Sequence, residues 1–450
     1  MNPGISAAPL PEGIATSRDY AVRADGLDLD VLEVPVPEER IAEEQRFPYA
    51  FASFTAPEGR ETTVEIEILS DSLALRRPRV WPERLGVPVA VRGAKRASFL
   101  LRAPCTAVLE ADGRHRALVL AVRTPEAADA PREGDPDVIY VGPGLHRRDL
   151  TVVGPGQTLY LAGGAVLEGA VRVEGDNAVI CGRGIVSGIP WPWQQGPLCP
   201  DGGRRMGHMV SLRGRNLAVR DVTLLSAWCW TLVLDGTENV AIENVAILGG
   251  RVINDDGIDV CRARGTVVRD CFVRCQDDCI APKWWCEDLL VERCALWTDV
   301  ANIFRIGYEC DPPPALVRNL VFRDIDILHT TLEPSETTSY WANTAITIQP
   351  SNNQRFEAIL FEDLRFHELD PWDIFLVVKT MPLTVFFRVP DAGTAAGITL
   401  RDIHLPPCVP APPVRLESHD PSHPIRGVRF ENVTGYGAVE ILGAVRDVSL

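Results

Sequence analysis

The sequence predicts an all-β protein in which a small β-sandwich precedes a solenoid of stacked parallel β coils. Three observations carry that expectation. Residues 30–123 alternate apolar and polar side chains in short runs, as in Thr63-Val64-Glu65-Ile66-Glu67-Ile68, with turns between them and no helical period. The segment "TPEAADAPREGDPD" (124–137) is rich in Pro, Ala and charge, as a linker would be. Beyond it one short element returns repeatedly, with no room for a helix between copies. The expected division is a sandwich with its linker over 1–135 and the solenoid over 136–450.

The recurring element has the form apolar-x-apolar-(Arg/Glu)-(Asp/Asn)-apolar-x-apolar. It reads "LAVRDVTL" at 217–224, "VAIENVAI" at 240–247, "TVVRDCFV" at 266–273 and "LLVERCAL" at 289–296. It returns as "LVFRDIDI" (320–327), "ILFEDLRF" (359–366), "ITLRDIHL" (398–405) and "VRFENVTG" (428–435). The early copies lie 23–26 residues apart and the later ones are spaced more widely, as inserted loops would cause. A period in the twenties made of strands and turns points to a β-helix, because the Leu-x-x-Leu-x-Leu pattern of leucine-rich repeats is missing. Gly-rich coils at 158–188 fit the same architecture.

Composition narrows the function. Net charge is −16 and the sequence pI about 5.0, which disfavours nucleic acid as a partner. No run of about 20 apolar residues is present, so a membrane span is not expected. The opening residues show no basic cluster followed by an apolar core, giving the expectation of a cytoplasmic protein, or an extracellular one if a leader has been trimmed. Of the 12 cysteines, five fall between Cys271 and Cys294 without a C-x-x-C pair. Reduced core residues are therefore expected rather than zinc ligands. No cofactor or metal is expected, and oligomerisation is left open.

Two acidic pairs stand out: "INDDGIDV" (253–260) and "RCQDDCIAP" (274–282). Asp256 and Asp277 are 21 residues apart, about one coil, and strands stack about 4.8 Å apart. Asp256, Asp277 and Asp278 are thus expected to gather on one face. Crowded carboxylates raise at least one pKa, which gives a proton donor beside ionised partners, as glycoside hydrolysis needs. Adjacent strand residues point to opposite faces, so Asp277 and Asp278 can share a cleft only if the backbone bulges or turns.

These linked motifs resemble the polygalacturonase-like enzymes of glycoside hydrolase family 28, which have the pectin-lyase-like right-handed parallel β-helix. Those enzymes carry Asn-Thr-Asp-Gly, then Gly- or Gln-Asp-Asp about one coil later. The resemblance runs through roughly 138–440, and the leading sandwich is similar to the layout of family 49 dextranases. It implies that Asp277 is the general acid, that Asp256 and Asp278 activate water, and that hydrolysis inverts the anomeric carbon. Such inversion calls for carboxyls about 6.5–9.5 Å apart. It also implies that Asn254 orients the pair, with Asp255 and Asp259 as weaker candidates.

Two departures bear on the substrate. Asn302 in "ANIFRIGYE" stands where the family has a histidine, and "NTAITIQP" offers Thr347 and Gln349 where the family has Arg-Ile-Lys. Neither can pair with a uronate as those cations do, which favours a neutral α-linked glycan. Arg305 and Lys283 are the cations that would serve an anionic one. Trp230, Tyr308 and Glu309 complete the expected substrate contacts. His208, Trp228, Trp284, Trp285 and the loop "TSYWANT" (338–344) are further candidates for the cleft. The competing readings are a β-helix lyase using Ca²⁺, a fructan-type transferase and a non-catalytic glycan-binding solenoid.

Overall fold

The computed structural model describes residues 4–36, 47–197, 207–309, 315–330, 344–370, 373–380 and 391–450. Alternation in the leading segment produces strands with one buried face, seen most plainly in Glu61–Ile68. That strand lies between Tyr20–Ala24 and Arg96–Arg102 in a five-stranded antiparallel sheet. A second five-stranded sheet has Leu118–Arg123 at its centre, parallel to Tyr49–Thr55 and antiparallel to Cys105–Glu110. Val22, Val64 and Phe99 of the first sheet share one buried cluster with Phe54, Leu109 and Leu120 of the second.

Among the described residues, the strands from Val138 onward form a single 24-stranded sheet, and each coil pairs in parallel with the next. One inward position repeats through Val171, Val210, Leu232, Ile258, Ile280, Phe304, Ile346, Leu376 and Val414. All nine are buried in one apolar core, where each side chain covers the one below. The five clustered cysteines are buried and free, and so act as small core residues.

The repeated polar pair has two jobs. Its second member (Asp221, Asn244, Asp270, Arg293, Asp324, Asp363, Asp402, Asn432) has φ between 50° and 66° in every copy. That left-handed corner is tolerated best by Asn and Asp, which explains the bias at this position. Its first member builds a ladder on the outer face: Arg220, Glu243, Arg269, Glu292, Arg323, Glu362, Arg401 and Glu431 stand in register, alternating in sign without a break. Ion pairs join Arg323 to Glu292 at 2.8 Å and Arg401 to Glu362 and Glu431 at 3.0 and 2.7 Å.

The leading sheets pack on the coils through a buried cluster that includes Leu32, Tyr49, Phe51 and Trp81 on one side and Leu248, Phe272, Trp297 and Leu328 on the other. Polar links cross the same contact. Arg79 pairs with Glu368 at 2.8 Å, Arg84 with Asp326, and Glu110 with the buried His329. Tyr49 Oη donates to the Gly249 carbonyl at 2.9 Å, just behind the first acidic pair.

Candidate active site

Leu232, Ile258, Ile280 and Phe304 stand in register on four successive coils. Two residues back along each lie Trp230, Asp256, Asp278 and Asn302. Backbone bonds tie them: Thr231 N donates to Asp256 O, Gly257 N to Asp278 O and Cys279 N to Asn302 O, at 2.8–2.9 Å. The coil offset here is 22, from Ile258 to Ile280, so Asp256 lies in line with Asp278 rather than with Asp277. Asp277 reaches the same side because the chain turns before the strand begins. Its carbonyl accepts from Thr298 Oγ1 at 2.8 Å and its carboxylate accepts from Asp278 N at 3.0 Å.

The three aspartates do converge. One oxygen from each of Asp256, Asp277 and Asp278 lies within 4.8 Å of the other two. A point central to such a triangle is about 2.8 Å from each oxygen, an ordinary hydrogen-bond length. A water there can donate to two ionised carboxylates and accept from a third that is protonated. These nearest-oxygen gaps are narrower than the 6.5–9.5 Å expected of an inverting pair of carboxyls. Asp256 and Asp278 are buried, whereas Asp277 is partly exposed. Burial raises Asp278 to about 6 against the pull of Arg305, and raises Asp256 well above the usual carboxylate range against the pull of Lys283.

Lys283 is not placed to meet a sugar. Only 2 % exposed, its Nζ lies 3.0 Å from Asp256 Oδ2, 3.0 Å from Asp259 Oδ1 and 3.5 Å from Glu309 Oε2. An ammonium has three N–H donors, and here three carboxylates surround it. The Trp230 ring closes the remaining side, its centroid 3.9 Å from Nζ. Trp230 is itself buried and stacks on His208, whose pKa falls to about 4 through burial and the neighbouring Lys283 charge. Trp230 is thus the floor beneath the cluster, and the partly buried His208 stacked on it lines a neighbouring groove with Arg172 and Asp235.

The remaining candidates divide between frame and opening. Asp255 turns inward and is fully buried, accepting from Gly250 N at 2.5 Å and Gln276 N at 2.7 Å, so it staples the two acidic turns together. Asn254 Oδ1 accepts from Trp193 Nε1 at 3.1 Å and Gln194 Nε2 at 3.3 Å, which ties it to the 188–197 segment. Asn302 donates its backbone N–H to Asp278 Oδ1 at 3.1 Å, and its Oδ1 accepts from Arg305 Nη1 at 3.2 Å. Arg305 reaches Gln349 Oε1 at 3.5 Å and lies over the Tyr308 ring at 4.3 Å.

Arg305, Thr347 and Gln349 line a small cavity together with Lys379, Arg415 and Glu417 from later coils. The hydroxyls of Thr344 and Thr347 in this region have no hydrogen-bond partner among the described residues. Of the tryptophans, Trp228 is buried and donates to Gly207 O, Trp284 lies under Arg262, and Trp285 borders a different groove beside Arg213 and Arg264. Most of "TSYWANT" (338–343) is outside the described residues. Asp259, a weaker candidate by sequence, is part of the charged cluster. The signal for it is strand alternation: Ile258 enters the core, so Asp259 points to the outer side, next to Lys283 on the following coil. The "PWPWQQ" run (190–195) gives no comparable signal, since its contact with Asn254 is long-range.

Comparisons with known proteins bear on the same region. Residues 170–296, which contain both acidic pairs, match the model of Glycosyl hydrolases family 28. No curated protein matches the chain by sequence. Dex49A from Penicillium minioluteum superposes with a TM-score of 0.54 at 12% identity, over 98% of this chain and 90% of that one. The family 28 exopolygalacturonase of Yersinia enterocolitica gives 0.51 at 11% identity, over 99% and 96%. At such identities the likeness is one of fold.

Proposed function

We propose that the chain, a polygalacturonase-like glycoside hydrolase, cleaves an α-linked glycan at the Asp256–Asp277–Asp278 cluster. The observation that carries the assignment is the convergence of three carboxylates around one water-sized point. Asp277, the most open of the three, is the general acid toward the glycosidic oxygen. Asp256 and Asp278 hold the attacking water and take its proton. Asn302 positions Asp278 through its backbone N–H. The proposal also takes the coil as right-handed and the leading pair of sheets as a β-sandwich.

The substrate side runs from the aspartates toward Arg305, Tyr308, Thr347 and Gln349. The unpartnered hydroxyls of Thr344 and Thr347 and the Gln349 amide, all buried at the wall of the small cavity, are of the chemistry that suits sugar hydroxyls. With Lys283 enclosed by carboxylates, Arg305, itself 4 % exposed, is the described cation beside the aspartates whose side-chain partners are two neutral amide oxygens. Further along the cavity, Lys379 pairs with Glu417 and Arg415 with Glu440. A neutral or sparsely charged glycan fits this lining better than a polyuronate, which needs paired cations.

Screening α-glycans and aryl glycosides with wild type and Asp277→Asn tests the assignment. Loss of a general acid lowers kcat by about 10²–10⁴-fold, and equal turnover by the two proteins would refute the role. The close carboxylates favour one second reading, retention through a covalent intermediate. Proton NMR of the first anomer released separates the two courses.

A further inference from the structure

Beside the three aspartates lies a second charged group that the reaction above does not use: Asp259, Lys283 and Glu309. We propose that Lys283, gripped by Asp259 and Glu309, is a positioning residue that holds the Asp256 carboxylate in place and favours its charged form, in which it acts as the base of the reaction. The inference rests on the hydrolase reading and deepens it, because it names what orients Asp256 and opposes its protonation.

The geometry leaves Lys283 little else to do. Its stem rises from the strand Ile280–Glu292, one coil beyond Asp256, and its ammonium ends 3.0 Å from Asp256 Oδ2. Asp259 at 3.0 Å and Glu309 at 3.5 Å approach from the coils on either side, so the ammonium is held from three directions. The Trp230 ring supplies the floor. A substrate carboxylate would have to displace one of these anions to reach Nζ, which is 2 % exposed.

Charge balance explains why such a device is needed. Among the described residues, five carboxylates face the pocket (Asp256, Asp259, Asp277, Asp278 and Glu309), against two cations, Lys283 and Arg305; His208 stands behind Trp230. Burial and mutual repulsion force protons onto some of those carboxylates. The nearest positive charge is what opposes that protonation at each carboxylate. Arg305 is the cation beside Asp278, and Lys283 is the cation on Asp256. Burial holds Asp256 well above the usual carboxylate range even with Lys283 beside it, and the ammonium is the charge that works against that rise.

The two partners of Asp256 therefore pull its titration in opposite directions. Removing the Lys283 charge raises the pKa of Asp256. Removing the Asp259 charge lowers it, provided Lys283 stays in place. The acid limb of kcat/KM reports that pKa in the free enzyme.

The experiment measures kcat and KM across pH for wild type, Lys283→Met, Lys283→Arg and Asp259→Asn, with melting temperatures recorded for each. The expected result for Lys283→Met is a fall in kcat of about 100-fold or more, KM within about threefold, and an acid limb moved up by about one pH unit or more. Lys283→Arg recovers much of kcat. Asp259→Asn moves the acid limb the other way, and it decides the matter alone if Lys283→Met does not fold. A rise confined to KM, or limbs that do not move, would overturn the inference while leaving the hydrolase assignment intact. Absence of turnover by wild type on every glycan would instead remove the assignment itself.

Discussion

Asp255 and Asp259, four residues apart in one short run, are held in opposite ways. Asp255 faces inward and accepts two backbone N–H groups; Asp259 faces outward and meets Lys283. Asp255→Ala leaves both donors buried and unsatisfied, at about 1–3 kcal/mol each. A clear drop in the denaturant midpoint, larger than that of Asp259→Asn, is the expected outcome by chemical unfolding. The convergence of Asp256, Asp277 and Asp278 was legible from spacing and from resemblance, because paired acids in apolar surroundings are costly unless used. The fates of Asn254 and Lys283 were not. Both are settled by partners far along the chain, at Trp193 for the first and at Glu309 and Trp230 for the second, and sequence spacing does not encode which long side chain reaches which neighbour.

The coil is the unit at the next scale, and its register decides the site. The sequence interval of 21 between Asp256 and Asp277 predicts vertical stacking, yet the coil offset is 22 and the in-line partner is Asp278. A one-residue error is invisible in the repeat, where loops vary in length, although it changes which side chain lies above which. Gly257 shows how closely the two acidic turns approach. A Cβ there would lie 2.5 Å from Cys279 O and 2.5 Å from Val273 Cγ1. Gly257→Ala therefore pries the two acidic coils apart, at a cost of about 1–3 kcal/mol, and on the proposed function should lower kcat together with the melting temperature. Unchanged turnover would show that the approach is not needed for alignment. The strands themselves were legible throughout, since every marker position found by pattern proves to be a left-handed corner.

For the whole molecule, stability should depend on pH in a direction fixed by buried acids. Burial raises Asp255, Asp259 and Asp373 to about 7 and Asp278 to about 6. Each folded pKa lies above the unfolded value, so these groups favour the fold fully below about pH 4 and lose that contribution as pH rises through 6 and 7. Asp326 works the other way. Burial opposes its charge, but hydrogen bonds from His367, Arg365 and Arg84 hold it at about 2, and its contribution is lost only as pH falls toward that value. Calorimetry should find the melting temperature falling between about pH 4.5 and 7.5. Asp373→Asn, remote from the catalytic cluster, should make that fall shallower by on the order of 1.4 kcal/mol per pH unit. The alternating Arg/Glu ladder carries a last consequence, one of parity. Excising a single coil, residues 363–401, sets Glu362 against Glu431, whereas excising two, residues 324–401, sets Arg323 against Glu431. Adding Glu431→Arg to the single excision should raise its melting temperature, most visibly at low salt. A solenoid wired this way gains or sheds coils in even numbers without mismatched charge, and an odd step leaves a fault line.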